Sequence, residues 1–227
     1  MLIDDTHFPF EPAWAGALES PAVSFAKGPG ELPKVSIGQP VWWSDPRKLG
    51  ADWVQPAGGK RYGMARFAYS LTPVERQTVD SVEFTLSFNS LGSPQRPIAF
   101  DLMPGLTTEE QTGKRKFTLD PKMKFANVVE FSGIQAGVEI DVKQAHVVSS
   151  IYGLGESDAG WTFKARPAHP LVGSQMVFVI LEIPPDAQAA RVTVRLSAQV
   201  DAPLWGKMRG QLPEEAQAQT QFVLQDN

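Results

Sequence analysis

The chain has 227 residues, 21 basic against 25 acidic, a formal net charge of −4, three histidines and no cysteine. Without thiols there is no zinc ribbon, iron–sulfur ligand set, thiol nucleophile or disulfide framework. The negative balance argues against an extended nucleic-acid surface.

A chain of this size can bury roughly 70% of its unfolded surface, so it folds without disulfide or structural metal. The start, Met1-Leu2-Ile3-Asp4-Asp5-Thr6-His7, has neither the basic residues nor the apolar run of a secretory signal. No apolar window reaches the roughly eighteen residues of a membrane helix. The expectation is a cytoplasmic protein with no membrane span.

Residues 1–60 lack sustained periodicity and carry Pro9, Pro12, Pro21, Pro29, Pro33, Pro40, Pro46 and Pro56. Proline has no amide donor, which suits short edge segments or an extended arm. Trp14, Trp42, Trp43, Trp53, Phe8, Phe10 and Phe25 are too much aromatic surface for a solvated linker. The segment therefore reads as a Pro/Trp-rich arm docked on a body.

From Arg61 the period becomes 2. Thr72 with Glu75 three positions on resembles a capping box for a turn or two of helix over Pro73–Thr78. Val82, Phe84, Leu86 and Phe88 then alternate with Glu83, Thr85 and Ser87, as in a half-buried strand, and Ile98, Phe100 and Leu102 repeat the pattern. Lys114, Arg115, Lys116, Lys122 and Lys124 read as a solvated face or a protected edge, with phosphate contacts as the alternative.

Ile134, Ala136, Val138, Ile140 and Val142 give the clearest alternation in the chain. Trp161 and Phe163 share one face, and Met176–Ile183 is apolar on both, the mark of a central strand. Val192, Val194, Leu196, Ala198 and Val200 make a last clear strand. Asn89–Pro97 and Ile183-Pro184-Pro185-Asp186 supply turns.

The predicted architecture is an all-β antiparallel β-sandwich over residues 61–205, with at least seven strands and with Phe84, Leu86, Ile140, Trp161, Val194 and Leu196 buried. Residues 206–227 read as a polar, frayed C-terminal tail, helical in composition but without an apolar face.

Catalytic patterns are sparse. His7, His146 and His169 are far apart and make no metal-binding spacing. Gly173-Ser174 lacks the second glycine of a nucleophile elbow, and Gly153-Leu154-Gly155 lacks the rest of a nucleotide loop, so both read as turns. The carboxylate pairs Asp4-Asp5, Glu109-Glu110 and Glu214-Glu215 are sequence neighbours, which face opposite ways on a strand. No cofactor, metal or catalytic residue is expected.

Trp42 and Trp43 differ from the rest, because neighbouring residues of an extended segment point to opposite sides and one indole can then face a partner. With Trp53 they are the candidate partner-binding residues. Residues 153–184, with Gly-x-Gly, Trp161-x-Phe163, Pro170-Leu171-x-Gly173-Ser174 and an apolar strand ending in Glu182-Ile183-Pro184, resemble the C-terminal part of uncharacterised bacterial β-rich proteins associated with conflict or defence systems. That resemblance implies a binding component accompanying an effector.

The functional expectation is a non-enzymatic protein-interaction module, docking on a protein partner or on itself. The alternatives are a carbohydrate- or small-ligand-binding sandwich, and a hydrolase whose carboxylates converge only in the fold.

Overall fold

The structure, a computed structural model, describes residues 12–20, 31–44, 56, 58–74, 76–105, 115–117, 138–140, 148–165, 170–203, 206–217 and 219–223. In chain order the strands are β1 (Pro12–Ala17), β2 (Lys34–Gly38), β3 (Val41–Trp43), β4 (Arg61–Thr72), β5 (Thr78–Leu91), β6 (Ile98–Met103) and β7 (Arg115–Phe117). They continue as β8 (Val138–Ile140), β9 (Val148–Tyr152), β10 (Asp158–Lys164), β11 (Gly173–Ile183), β12 (Ala189–Ala202), β13 (Gly206–Gln211) and β14 (Gln219–Val223). Among the described residues the one helical element is the 3-10 turn Glu214–Ala216. No helix among them is long and apolar enough to cross a membrane.

The protein is an all-β antiparallel sandwich. Sheet A runs β1-β2-β4-β11-β6, with β3 also on β4, and sheet B runs β13-β12-β5-β10-β9, with β14 also on β12. β7 and β8 form a separate two-stranded ribbon. The facing rows follow the alternation. Phe67, Tyr69 and Leu71 of β4 and Val177, Val179 and Leu181 of β11 meet Phe84, Leu86 and Phe88 of β5, Trp161 of β10 and Val194 and Leu196 of β12 in one core.

Phe84, Leu86, Trp161, Val194 and Leu196 are all buried, as their periodicity predicts. Each large side chain removed from water contributes roughly 1.5–3 kcal/mol. Tyr69 stacks on Phe84 across the two sheets at 5.2 Å between centroids. The side chain of Ile140 lies outside the described residues, as do residues 134–137 and 141–142.

β11 sits between β4 and β6, as its doubly apolar sequence requires. Its outward Ile180 is buried with Tyr62 and Met64 in a second cluster, against which Trp43, Phe100, Met103 and Phe178 pack. The simple alternation expected of Ile98, Phe100 and Leu102 fails. A register shift between Ile180 and Leu181, which pair with Asp101 and Ala99, leaves Phe100 as the extra residue of a bulge. The bulge resets the phase, so Ala99 and Leu102 join the main core while Phe100 packs on the outer cluster.

Two further expectations are corrected. Thr72–Thr78 makes no helix among its described residues: Gln77 N–H donates to the Val74 carbonyl at 3.0 Å and Arg76 has φ 66°, a tight turn from β4 into β5. The C-terminal segment expected as a polar tail supplies β13 and β14, which pair with successive parts of β12. Backbone hydrogen bonds along β12 hold it without an apolar stripe, and Leu212 and Ala216 plug the core between the two strands.

Of residues 1–60, the described parts extend sheet A as hydrogen-bonded strands: β1 pairs with β2, and β2 and β3 share one edge of β4 in succession. Pro12 opens β1, where its missing donor costs nothing to the ladder. Both long edges of the sandwich carry cross-sheet bonds. At one, Glu19 and Gln211 exchange backbone hydrogen bonds of 2.8 and 2.9 Å. At the other, Ala99 exchanges bonds with Gly155 and Glu156 at the β9–β10 turn, and Trp161 Nε1–H donates to the Pro104 carbonyl at 3.0 Å.

Candidate functional site

β3 shows how the two neighbouring tryptophans divide. Trp42 pairs with Ala65 and Trp43 with Met64, so their rings fall on opposite faces of sheet A. The Trp42 indole lies over Gly63, where any Cβ would overlap the ring, and packs against the main core. Trp43 packs against the Tyr62, Met64 and Ile180 cluster. Both are half-buried. Trp14 repeats the device over Gly16. Trp53 lies outside the described residues, as do His7, His146 and His169.

Chemistry-bearing side chains gather instead on the outer face of sheet B. Tyr152 of β9 pairs with Gly160 of β10, which pairs with Thr85 of β5. Because Gly160 has no side chain, the Tyr152 phenol crosses it: the hydroxyl is 2.6 Å from Thr85 Oγ1 and donates to Glu83 Oε1 at 3.3 Å. Glu83 Oε2 in turn faces Arg209 Nη2 at 3.7 Å. Burial, together with Glu83 and Asp158, pushes the phenol above its ordinary pKa, and the Thr85 hydrogen bond opposes this.

One row along, Ser87 donates to Asp158 Oδ1, Arg96 Nη2 approaches Asp158 Oδ2 at 3.3 Å, and Arg195 Nη1 donates to Ser87 Oγ at 3.4 Å. The Ser87 hydrogen bond, and then the Arg96 charge, hold the Asp158 carboxyl below its ordinary pKa against the opposing effect of burial. Asp158 is therefore ionised at neutral pH and has no proton to give as a general acid.

Arg96 also borders a cleft of about 420 Å³ lined by Gly58, Gly59, Lys60, Gln95, Ile98 and the turn Glu182–Pro185. Lys60 Nζ pairs with Glu182 Oε1 at 2.6 Å and Tyr62 Oη donates to Glu182 Oε2 at 3.4 Å. Arg61 fixes the turn by donating to the carbonyls of Pro185 and Ala187 at 3.0 and 3.2 Å. Among the described residues no group of three or more His, Cys, Asp or Glu could hold a metal ion.

Sequence reading fixed on the tryptophans and missed Tyr152, Asp158 and Arg96. The available signal was Gly160, a glycine inside a strand, which marks a close approach.

No family model matches the chain, and no curated protein matches it. Among solved structures it is similar to the delta-toxin of Clostridium perfringens, at 10% identity and TM-score 0.42 over 84% of this chain and 83% of that one. It is also similar to a structure described as a pore forming protein, at 7% identity and TM-score 0.42 over 83% of this chain and 90% of that one. A third is the NetB toxin of Clostridium perfringens in its membrane-inserted form, at 9% identity and TM-score 0.35 over 92% and 95% of the two chains. None of the three is described as a conflict or defence protein, and likeness at this level assigns no activity.

Proposed function

We propose that the protein acts without catalysis, by associating with a protein partner or with further copies of itself. The observation that carries this reading is the outer face of sheet B, where Tyr152 is fixed between Thr85 and Glu83 and flanked by Arg195 and Arg209. Tyrosine and arginine are enriched at the energetic centres of protein interfaces. Side chains already held in place lose less entropy on docking. The carboxylates of this face serve to orient donors, which suits recognition better than proton transfer. An accessory role in a bacterial defence or multi-protein system belongs to the same proposal and rests on the resemblance of residues 153–184.

Sedimentation across a concentration series, repeated with Tyr152→Ala, tests the self-associating form. Association weakened tenfold or more by the substitution supports it. A monomer at every concentration that also turns over substrate in a hydrolase and glycosidase screen overturns the non-catalytic reading.

A second reading is favoured by the ribbon. Among the described residues β7 and β8 pair with each other and with neither sheet, and around β8 the sequence alternates Ile134, Ala136, Val138, Ile140 and Val142 with Gln135, Gly137, Glu139, Asp141 and Lys143. Alternating segments of roughly ten residues are what lipid-facing barrel strands are made of. Copies of the chain contributing one ribbon each would then build a barrel in a bilayer, and the reading rests on this alternation alone. Dye release from vesicles, abolished by Val138→Asp, supports it; intact vesicles at micromolar protein oppose it.

A further inference from the structure

We propose that the cleft beside Arg96 binds a small ligand carrying an oxyanion, a carboxylate or a phosphate ester, on an apolar body. Arg96 is the centre of the argument. Its Nε–H donates to the Phe88 carbonyl at 2.7 Å and its Nη2 meets Asp158 at 3.3 Å. Two fixed points set the plane of the guanidinium before any ligand arrives. A guanidinium has five N–H donors, more than these two acceptors use, and a planar donor group held in advance matches a carboxylate or phosphate well.

The local charge balance points the same way. Arg96 and Arg195 both reach the Ser87–Asp158 pair, which supplies one carboxylate for two cations. Across the cleft Lys60 is matched by Glu182. Basic side chains thus stand on both sides of the cleft, which favours an oxyanion over a neutral ligand.

The remaining walls suit an apolar body. Ile98 and Pro185 face the cleft, Ile183 and Pro184 are buried beneath it, and Arg61 holds the proline turn through two carbonyls. A volume of about 420 Å³ is at the small end of the usual range for ligand sites. Gly58 and Gly59 at the rim have positive φ of 126° and 68°, a backbone conformation that favours glycine.

The test is an NMR titration of the full chain with benzoate, phenyl phosphate, inorganic phosphate and, as the neutral control, benzyl alcohol. Saturable shifts are expected at the amides of Gly58, Gly59, Gln95 and Arg96 with benzoate or phenyl phosphate, and none with benzyl alcohol. The tighter of the two aryl anions identifies the charged group, and inorganic phosphate alone should bind more weakly for want of the apolar walls.

Arg96→Gln should weaken binding at least tenfold, with Arg96→Lys intermediate because it keeps charge without the planar fork. Since Arg96 also braces Phe88 and Asp158, Pro185→Glu serves as a second variant. It sets a negative charge on an exposed wall, leaves the backbone carbonyl that Arg61 holds, and should also weaken binding tenfold. Shifts confined to other parts of the molecule, equal response to benzyl alcohol, or wild-type affinity in both Arg96→Gln and Pro185→Glu overturns the assignment.

Discussion

The Tyr152 hydroxyl occupies the space above Gly160 and closes on Thr85 Oγ1 at 2.6 Å, so one missing side chain on β10 permits a bond between β9 and β5. A methyl group at Gly160 would meet the Phe84 carbonyl and the Tyr152 hydroxyl. The carbonyl is backbone in the middle of sheet B and cannot step aside. Gly160→Ala should therefore destabilise the fold by about 1–3 kcal/mol, seen as a lower midpoint in urea. The double variant with Tyr152→Phe should recover little of it, because the backbone clash remains. Full recovery would show that the hydroxyl alone sets the constraint.

Tyr69 makes the opposite prediction. It is buried against Phe84 and Phe163, its hydroxyl has no hydrogen-bond partner among the described residues, and burial pushes its pKa far up. A buried hydroxyl without a partner costs about 1–3 kcal/mol relative to one left in water. Tyr69→Phe removes that oxygen and keeps the stacked ring, so it should leave the melting temperature unchanged or raise it. A clear loss of stability would mean that the hydroxyl is satisfied.

Much of this architecture could be read in advance wherever burial is one-sided and the strand regular. β12 is the clearest case, its even-numbered residues buried and its odd-numbered ones facing out almost without exception. Where the strand is bulged the reading slips by one, as at Phe100, because a single extra residue exchanges the two faces. The Val79–Ser81 bulge does the same at the start of β5, bringing Val79 and Val82 to one side.

The C-terminal strands and the candidate site were harder for related reasons. β13 is held by the ladder of β12, and its sequence, Gly-Lys-Met-Arg-Gly-Gln, carries no apolar row to announce it. The two polar groups, Tyr152 with Glu83 and Asp158 with Ser87, Arg96 and Arg195, draw on four different strands and a loop. Only strand pairing brings them together, and strand order is not written in local periodicity. Trp42 and Trp43 illustrate the converse. Their opposite facing follows from extended geometry alone, whereas the fact that Gly63 lies beneath Trp42 depends on which strand β3 joins.

Trp161 separates packing from hydrogen bonding at the edge where β6 meets β10. Its ring is fully buried and its Nε1–H donates to the Pro104 carbonyl at 3.0 Å. Trp161→Ala should cost roughly 3–5 kcal/mol through lost burial and the remaining cavity. Trp161→Phe keeps most of the apolar contact and loses the donor, so a smaller cost of about 1–2 kcal/mol is expected. Equal costs for the two would place the whole contribution in the hydrogen bond.

Asp158 gives a pH dependence whose sign is fixed. Its folded pKa lies below the unfolded value of about 3.9, because Ser87 donates to it and Arg96 and Arg195 stand nearby. A carboxyl whose pKa is depressed on folding contributes stability that is fully present above the unfolded pKa and is lost as pH falls through the folded one. The side chain is 55% exposed, so solvent screening keeps the contribution modest. Asp158→Asn should accordingly melt below the wild type from pH 5 to 8, by a constant margin, and the margin should shrink as the pH drops through the acid range below about 3.9. Added salt at neutral pH should narrow it too, since two of the three groups that lower the pKa, Arg96 and Arg195, act through their charge. A margin that is the same at every pH would assign the effect of the substitution to the shape of the Ser87 hydrogen bond, and the charge of Asp158 would then contribute nothing to holding Arg96 in place.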